Sequence, residues 1–405
     1  MSNEGLYTNI KEIITQRYLQ SLEETVEAVN QCDSIIEALS LTELPEKEFY
    51  IRILQHFHLF LNSEFMFQRK RLEKALKSYQ KLQRNIAETQ TQFPDHYASW
   101  RYDIDRLLFR IDARLHEVRA RIALEKNDAV QADILYVETI NRFKTELQLE
   151  QDQSDYDHYF DSLGNIFLTT GYLYRLRGNN SENPIDLYQA IKNFKKAKFL
   201  GLPQLDEIIQ ETRKNVKTLT LAKLESQAES LFGKGLAESE AERFKEAKIN
   251  YQKSAQLYTS LKRINPSIEY ELQEQIQFSS YYEASAKDFM AQDDNDQAAI
   301  QFSHAAQTLM NVLQKLPSDV LQQQFDPQIT YFQAMQLFCQ AVTEYDKMIP
   351  EAMDHFKEAH EKIIDTKLKA EEAENTPLIK SCNDAINKLD SYLEIAELMF
   401  QPDAN

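Results

Sequence analysis

The chain has 405 residues, and its 64 acidic and 46 basic side chains give it a formal net charge of −18. Only 7 glycines and 10 prolines are present, which argues against a β-rich fold, because tight turns depend on those residues. Hydrophobic residues make up 42 % of the chain, too large a share for a disordered protein. The acidic balance argues against general nucleic-acid binding, whose usual mark is a basic surface.

The cysteines and the N-terminal residues indicate the cellular compartment in which the protein is expected. Cys32, Cys339 and Cys382 lie far apart, so neither a disulfide framework nor a cysteine metal site is expected, and a reducing compartment is favoured. The first 16 residues lack the basic and apolar regions of a signal peptide, and no apolar run reaches the length of a transmembrane helix. We therefore expect a cytoplasmic protein without a membrane-spanning segment.

Apolar residues recur every three or four positions along nearly the whole chain, which predicts an all-α protein. The clearest stripe covers residues 104–122. Thr376 before Pro377 is a predicted N-cap, and the acidic stretch 292–297 is predicted to cap the helix that follows it. The predicted helices span residues 5–40, 46–63, 65–90, 96–126, 128–150, 153–178, 184–199, 203–241, 243–264, 267–293, 295–315, 318–347, 350–374 and 377–400.

A small residue followed four positions later by an aromatic ring recurs in the second helix of successive helix pairs. Such a stripe allows close helix packing, because the small residue admits a neighbouring helix and the ring fills the groove beside it. The leading alanines are 57, 58, 57, 51 and 54 residues apart, which predicts a solenoid of antiparallel helix pairs. The pairs of repeat residues are Ala75 and Tyr79, Ala132 and Tyr136, Ala190 and Phe194, Ala247 and Tyr251, Ala298 and Phe302, and Ala352 and Phe356.

Residues 228–266 resemble a tetratricopeptide repeat. Gly235 and Ala237 match the family's glycine and small residue, Phe244, Ala247, Tyr251 and Ser254 match its second-helix positions, and Pro266 closes the unit. The resemblance implies a right-handed stack of helix pairs that binds proteins. The other units keep only the alanine, the aromatic residue and the small residue, and their period exceeds that family's 34 residues.

A second stretch resembles Bro1-like domains, which are helical and contain tetratricopeptide-like pairs. The similar segments are AAIQFSHAAQTLMNVL at 298–313 and FDPQITYFQAMQLFCQAVTEY at 325–345. This resemblance implies an adaptor of membrane-remodelling machinery as an alternative function.

No linker rich in glycine, serine or proline interrupts the chain. We therefore expect one continuous repeat array over residues 1–405, in which 377–400 is a capping helix. The stretch 178–184 is the most loop-like and allows a subdivision into 1–180 and 181–405.

No catalytic or cofactor motif is recognisable. There is no HExxH, no phosphate-binding glycine loop and no nucleophile elbow. We therefore expect a non-enzymatic protein without cofactor or metal, although an enzyme or a ligand sensor with a pocket between helices remains an alternative.

Two rows of basic residues stand out against the acidic total. Like charges four residues apart repel each other, so these rows predict either a site for an acidic peptide, nucleic acid or lipid headgroup, or faces neutralised by nearby acidic residues. We expect a protein-interaction scaffold that binds a partner peptide or helix on the concave side of the solenoid, which the first helix of each pair would line. The candidate partner-binding residues are Lys70, Lys74, Lys77, Lys81 and Arg84 in the first row and Arg106, Arg110, Arg114 and Arg121 in the second.

Overall fold

The computed structural model describes residues 8–10, 12–13, 22–44, 46–202, 205–315 and 319–400. Within these ranges the chain is helical and contains no β-strand. The longer helices are α1 (Leu22–Ser40), α2 (Lys47–Gln68), α3 (Leu72–Gln92), α4 (Pro94–Ser99), α5 (Arg101–Glu125), α6 (Ala129–Asp152), α7 (Tyr156–Asn180), α8 (Pro184–Phe199), α9 (Asp206–Glu240), α10 (Phe244–Ile264), α11 (Ile268–Met290), α12 (Asn295–Lys315), α13 (Asp319–Asp346), α14 (Ala352–Glu372) and α15 (Thr376–Phe400).

The chain divides into two compact units, unit 1 (Met1–Leu219) and unit 2 (Thr220–Asn405). In each unit, helices that follow one another pack side by side, as α5, α6, α7 and α8 do in unit 1 and α10 to α15 do in unit 2. Because short turns join them, neighbouring helices run antiparallel. The protein is an all-α solenoid of helix pairs. The boundary between the units falls within α9, whereas residues 178–184 join α7 to α8 inside unit 1.

The repeat residues form the contacts between helices. Each of the twelve is at most 3 % exposed. The six aromatic rings each lie near a ring on an adjacent first helix, such as Phe194 with Tyr172 at 5.3 Å between centroids and Phe356 with Phe338 at 6.1 Å. The alanines beside them let these helices approach closely, and this contact repeats through both units.

Two glycines mark places where the aromatic ring of the repeat presses on the backbone of a first helix. A Cβ atom on Gly171 would lie 2.5 Å from Cε1 of Phe194, and one on Gly235 would lie 2.6 Å from Cε1 of Tyr251. Real Cβ atoms do not come that close to carbon. Gly233, two residues earlier in α9, has open space instead. Close helix packing at this stretch of α9 therefore depends on Gly235.

The turns between helices use non-glycine residues in the left-handed conformation. Eight such residues have φ between 50° and 60° and follow the ends of helices. For a residue with a Cβ atom this conformation costs about 1–2 kcal/mol. Because the chain has few glycines, residues with a Cβ atom occupy it at these turns. They are Lys70, Asn127, Ser154, Glu182, Glu242, Asp293, Met348 and Glu374.

Several helix boundaries differ from the sequence prediction. Helix α2 continues to Gln68 and buries Phe67, so the break expected near residue 64 lies at Lys70. The predicted helix 96–126 is split at Trp100 into α4 and α5. The cap of α15 is Asn375, whose Oδ1 accepts a hydrogen bond from the Leu378 amide at 3.2 Å, rather than Thr376. The predicted helix 5–40 falls partly outside the described residues.

Candidate functional site

The first basic row lies on the surface of unit 1. Lys74, Lys77, Lys81 and Arg84 are exposed on α3, and Lys70 is exposed in the turn before it. None of the five side chains forms an ion pair or hydrogen bond with a described residue. We call these five residues the α3 cation row.

The helical period explains why these cations face outward. Helix α3 buries Ala75, Tyr79 and Leu82 against its neighbours, and the cations, three or four positions apart, lie on the opposite side. Folding therefore gains nothing from these charges, which repel one another along the helix.

The second basic row lies inside unit 1. Binding a partner would require exposed side chains, and these arginines are mostly buried. Arg106 is 4 % exposed and Arg110 is fully buried, while the side chains of Arg114 and Arg121 are 11 % and 26 % exposed. The reason is position: α5 packs against α3 on one side and α6 on the other. Carboxylates on neighbouring helices and on α5 itself neutralise these arginines.

Arg110 is the centre of this buried network. Its Nε donates to Oε1 and Oε2 of Glu146 at 2.8 and 2.9 Å, and its Nη2 donates to the Ser162 hydroxyl at 3.1 Å. The Ser162 hydroxyl in turn donates to Oε1 of Glu150 at 2.9 Å. One buried carboxylate, Glu146, thus pairs with the guanidinium directly, and a second, Glu150, is linked to it through the Ser162 hydroxyl.

Burial, followed by the charge of Glu146, raises the pKa of Glu150 from 4.5 to about 8. The folded protein therefore holds a proton on Glu150 that the unfolded chain releases above pH 4.5. Because the folded state binds more protons in that range, the contribution of Glu150 to stability falls as the pH rises from about 4.5 toward 8.

A second cluster joins Arg114, Arg121 and Glu117. Arg114 Nε donates to Oε1 of Glu64 at 2.9 Å, and its Nη1 donates to Oε2 of Glu117 at 2.6 Å. Arg121 Nη2 donates to the other Glu117 oxygen at 2.7 Å. Burial alone would raise the pKa of Glu117, but the charges of Arg121 and Arg114 lower it below its usual value. This carboxylate is a fixed anion that pairs with two arginines of its own helix, and Arg114 links α5 to Glu64 on α2.

The cysteines do not offer a reactive thiolate. Burial raises the pKa of the Cys32 and Cys339 thiols to about 12 and that of Cys382 to about 11. The thiolate is the nucleophilic form, so at neutral pH all three are inert thiols. Among the described residues no group of three or more histidine, cysteine, aspartate or glutamate side chains could hold a metal ion.

An open cleft in unit 2 lies where α13 meets the end of α14 and the start of α15. It is lined by Val320, Gln323, Gln324, Pro327, Ala370, Ala373 and Asn375. Its polar side chains are amides, which can form hydrogen bonds but do not titrate. The cleft therefore has no side chain suited to general acid or base catalysis.

Two second helices of unit 1 carry an exposed apolar patch that was not predicted from the sequence. Val130, Ile134 and Val137 of α6 and Ile185 and Tyr188 of α8 are exposed; we call them the apolar patch. The sequence of α6 does indicate its part of the patch, because the first turns have apolar residues on the face opposite Ala132 and Tyr136 as well as on the buried face. An amphipathic helix has apolar residues on one face alone.

No described helix is long and apolar enough to cross a membrane. No protein-family model and no curated protein matches the chain. Among solved structures, the chain is similar to the TPR2AB-domain:pHSP90-complex of yeast Sti1, with 14 % sequence identity and a TM-score of 0.19. That match covers 69 % of this chain and 98 % of the other.

Proposed function

We propose that this protein is a non-enzymatic interaction scaffold that binds an acidic peptide or helix of a partner protein. The observation that carries the proposal is the α3 cation row: five exposed cations without partners among the described residues. An acidic segment would relieve the repulsion within the row and gain several charge pairs.

The contrast between the two basic rows supports this assignment. The arginines of α5 have carboxylate partners within unit 1, whereas the α3 cation row has none among the described residues, although the chain as a whole is acidic. Solenoids of helix pairs commonly bind peptides along an extended surface. Because α3 is a second helix, we place the charged contact on the second-helix side rather than on the concave side.

The test compares partner recovery from native cell extract with three baits. The first is the wild type, the second is Lys77→Glu with Lys81→Glu, and the third is the control Lys245→Glu with Lys253→Glu on α10. The control lysines are also exposed and form no ion pair with a described residue. Quantitative mass spectrometry at low and high salt gives the readout.

We expect partners with acidic segments to fall about tenfold with the α3 variant and to persist with the control. High salt should release the same partners from the wild type, because exposed charges are screened within about 10 Å at 0.1 M salt. If both double variants retain the partners equally, or if the recovered partners are insensitive to salt, the proposal is wrong.

A further inference from the structure

The second helices α6 and α8 expose apolar side chains along their outward faces. Val130, Ile134 and Val137 on α6 are 75 %, 48 % and 36 % exposed, and Ile185 and Tyr188 on α8 are 66 % and 62 % exposed. Positions 130, 134 and 137 follow the i, i+4, i+7 spacing of one helix face. Folding does not use these side chains, so their apolar character needs another explanation.

The two parts of the patch lie at the same end of unit 1. Helices α6 and α8 both pack antiparallel to α7, so they run parallel to each other and their N-terminal halves lie on either side of the end of α7. Arg177 near that end donates through Nε to Oδ1 of Asp133 on α6 at 2.6 Å. Its neighbour Gly178 packs against Leu187 on α8. The apolar patch therefore flanks one helix end from both sides.

The same outward faces become basic toward their C-terminal ends. Lys144 on α6 and Lys192 and Lys195 on α8 are exposed, and no described residue forms an ion pair with them. Phe199, at the last turn of α8, is 89 % exposed. The surface thus combines apolar residues at one end with unpaired cations and an aromatic ring at the other.

We propose that this face of α6 and α8 binds an amphipathic helix of a partner protein, with apolar residues on one side and acidic residues along its edges. Both helices pack against α7, so a third helix can lie across their outward faces by its apolar side. The lysines select acidic edges by charge complementarity. An anionic membrane is disfavoured because the chain has a net charge of −18.

This inference rests on the proposed function and specifies its partner: the acidic segment has an apolar side, and that side lies on α6 and α8. The two proposals can fail separately, because one concerns charge on α3 and the other concerns apolar contact on α6 and α8.

The test uses two fluorescent peptides of about 20 residues, both helical and both with glutamates along their edges. One has leucines at i, i+3, i+4 and i+7 spacing, and the other has glutamines there. Fluorescence anisotropy measures binding to the full chain. The variant is Ile134→Ser with Ile185→Ser, and the control is Ile300→Ser with Ile364→Ser on the second helices α12 and α14, where the isoleucines are 45 % and 41 % exposed.

We expect the leucine peptide to bind about tenfold more tightly than the glutamine peptide, the gain expected from burying a few methyl-sized groups. Ile134→Ser with Ile185→Ser should abolish that difference, while Ile300→Ser with Ile364→Ser should preserve it. Thermal unfolding should be similar for both variants, since all four side chains are at least 41 % exposed.

Other outcomes overturn the inference. If the two peptides bind equally and only Lys77→Glu with Lys81→Glu weakens them, the proposed function holds and the apolar patch is not a site. If neither peptide binds, both proposals fail. If vesicles with anionic lipids bind the wild type and the Ile134→Ser, Ile185→Ser variant releases them, the patch is a membrane surface instead.

Discussion

The contact between a glycine and the repeat aromatic can be tested within a single helix. Gly233 and Gly235 both lie inside α9, two residues apart. Only Gly235 faces the ring of Tyr251, and Gly233 has no atom near its missing Cβ. Gly233→Ala and Gly235→Ala therefore add the same methyl group to the same helix in two different surroundings.

The expected free energies have opposite signs. Replacing a glycine inside a helix by alanine stabilises by about 0.5–1 kcal/mol when nothing obstructs the methyl group, which is the case for Gly233→Ala. In Gly235→Ala the new Cβ lies 2.6 Å from Cε1 of Tyr251, about 1 Å inside an ordinary carbon contact. The ring is 3 % exposed and packs on Phe232 at 5.5 Å, so it cannot move away freely. Overpacking of this kind costs about 1–3 kcal/mol.

Calorimetry of the full chain measures the difference. The two variants should differ by about 2 kcal/mol in unfolding free energy, which moves the transition by about 4–8 °C for a unit of this size. Tyr251→Leu supplies a double-mutant cycle: it should destabilise the wild type by leaving a cavity and cost less in the Gly235→Ala background. Equal stability of Gly233→Ala and Gly235→Ala would refute the role of this contact.

Three further substitutions test the buried network and the turns. Between pH 5.5 and 7 the wild type should lose up to about 1.4 kcal/mol of unfolding free energy per pH unit through Glu150, and Glu150→Gln should remove this loss. Urea unfolding measures the free energy of both proteins across that range, and an equal dependence on pH in the two would contradict the prediction. Arg110→Met should destabilise by about 3–5 kcal/mol, because it leaves the Glu146 charge buried and unpaired, and adding Glu146→Gln should recover part of the loss in urea unfolding. Met348→Gly should stabilise by about 1 kcal/mol by relieving a left-handed backbone, and more than Asn127→Gly in the same thermal assay, because asparagine tolerates that conformation; an equal gain would contradict this.

The helices were predictable because the chain repeats one contact. Helices α8 and α12 begin and end at the predicted residues, 184–199 and 295–315. In both, a small residue and an aromatic ring four positions later mark the buried face, and a polar residue caps the start: Asn183 accepts from the Ile185 amide and Asp294 from the Gln297 amide. Local signals of this kind are visible in a sequence.

The end of α2 was not predictable in this way. Its last two turns are NSEFMFQ, followed by Arg69 and Lys70, without glycine or proline. The turn depends on Lys70, whose φ is 57°. Lysine has no preference for this left-handed conformation, so the sequence does not indicate it. Tertiary packing fixes it, because Phe67 is buried while the next three residues are exposed.

The two basic rows show that tertiary contacts also decide which residues of the candidate site are exposed. In sequence both are cations at helical spacing, so local reasoning cannot separate them. What separates them is distant in the chain: Glu146 lies 36 residues beyond Arg110, and Ser162 lies 52 residues beyond it. No residue of comparable separation reaches the α3 cation row in the described structure. Reversing two charges should therefore leave stability nearly unchanged on α3, where the cations are solvated. A loss as large as that expected for Arg110→Met would mean that the α3 cation row also serves folding, and the reason to look for its partner outside the chain would disappear.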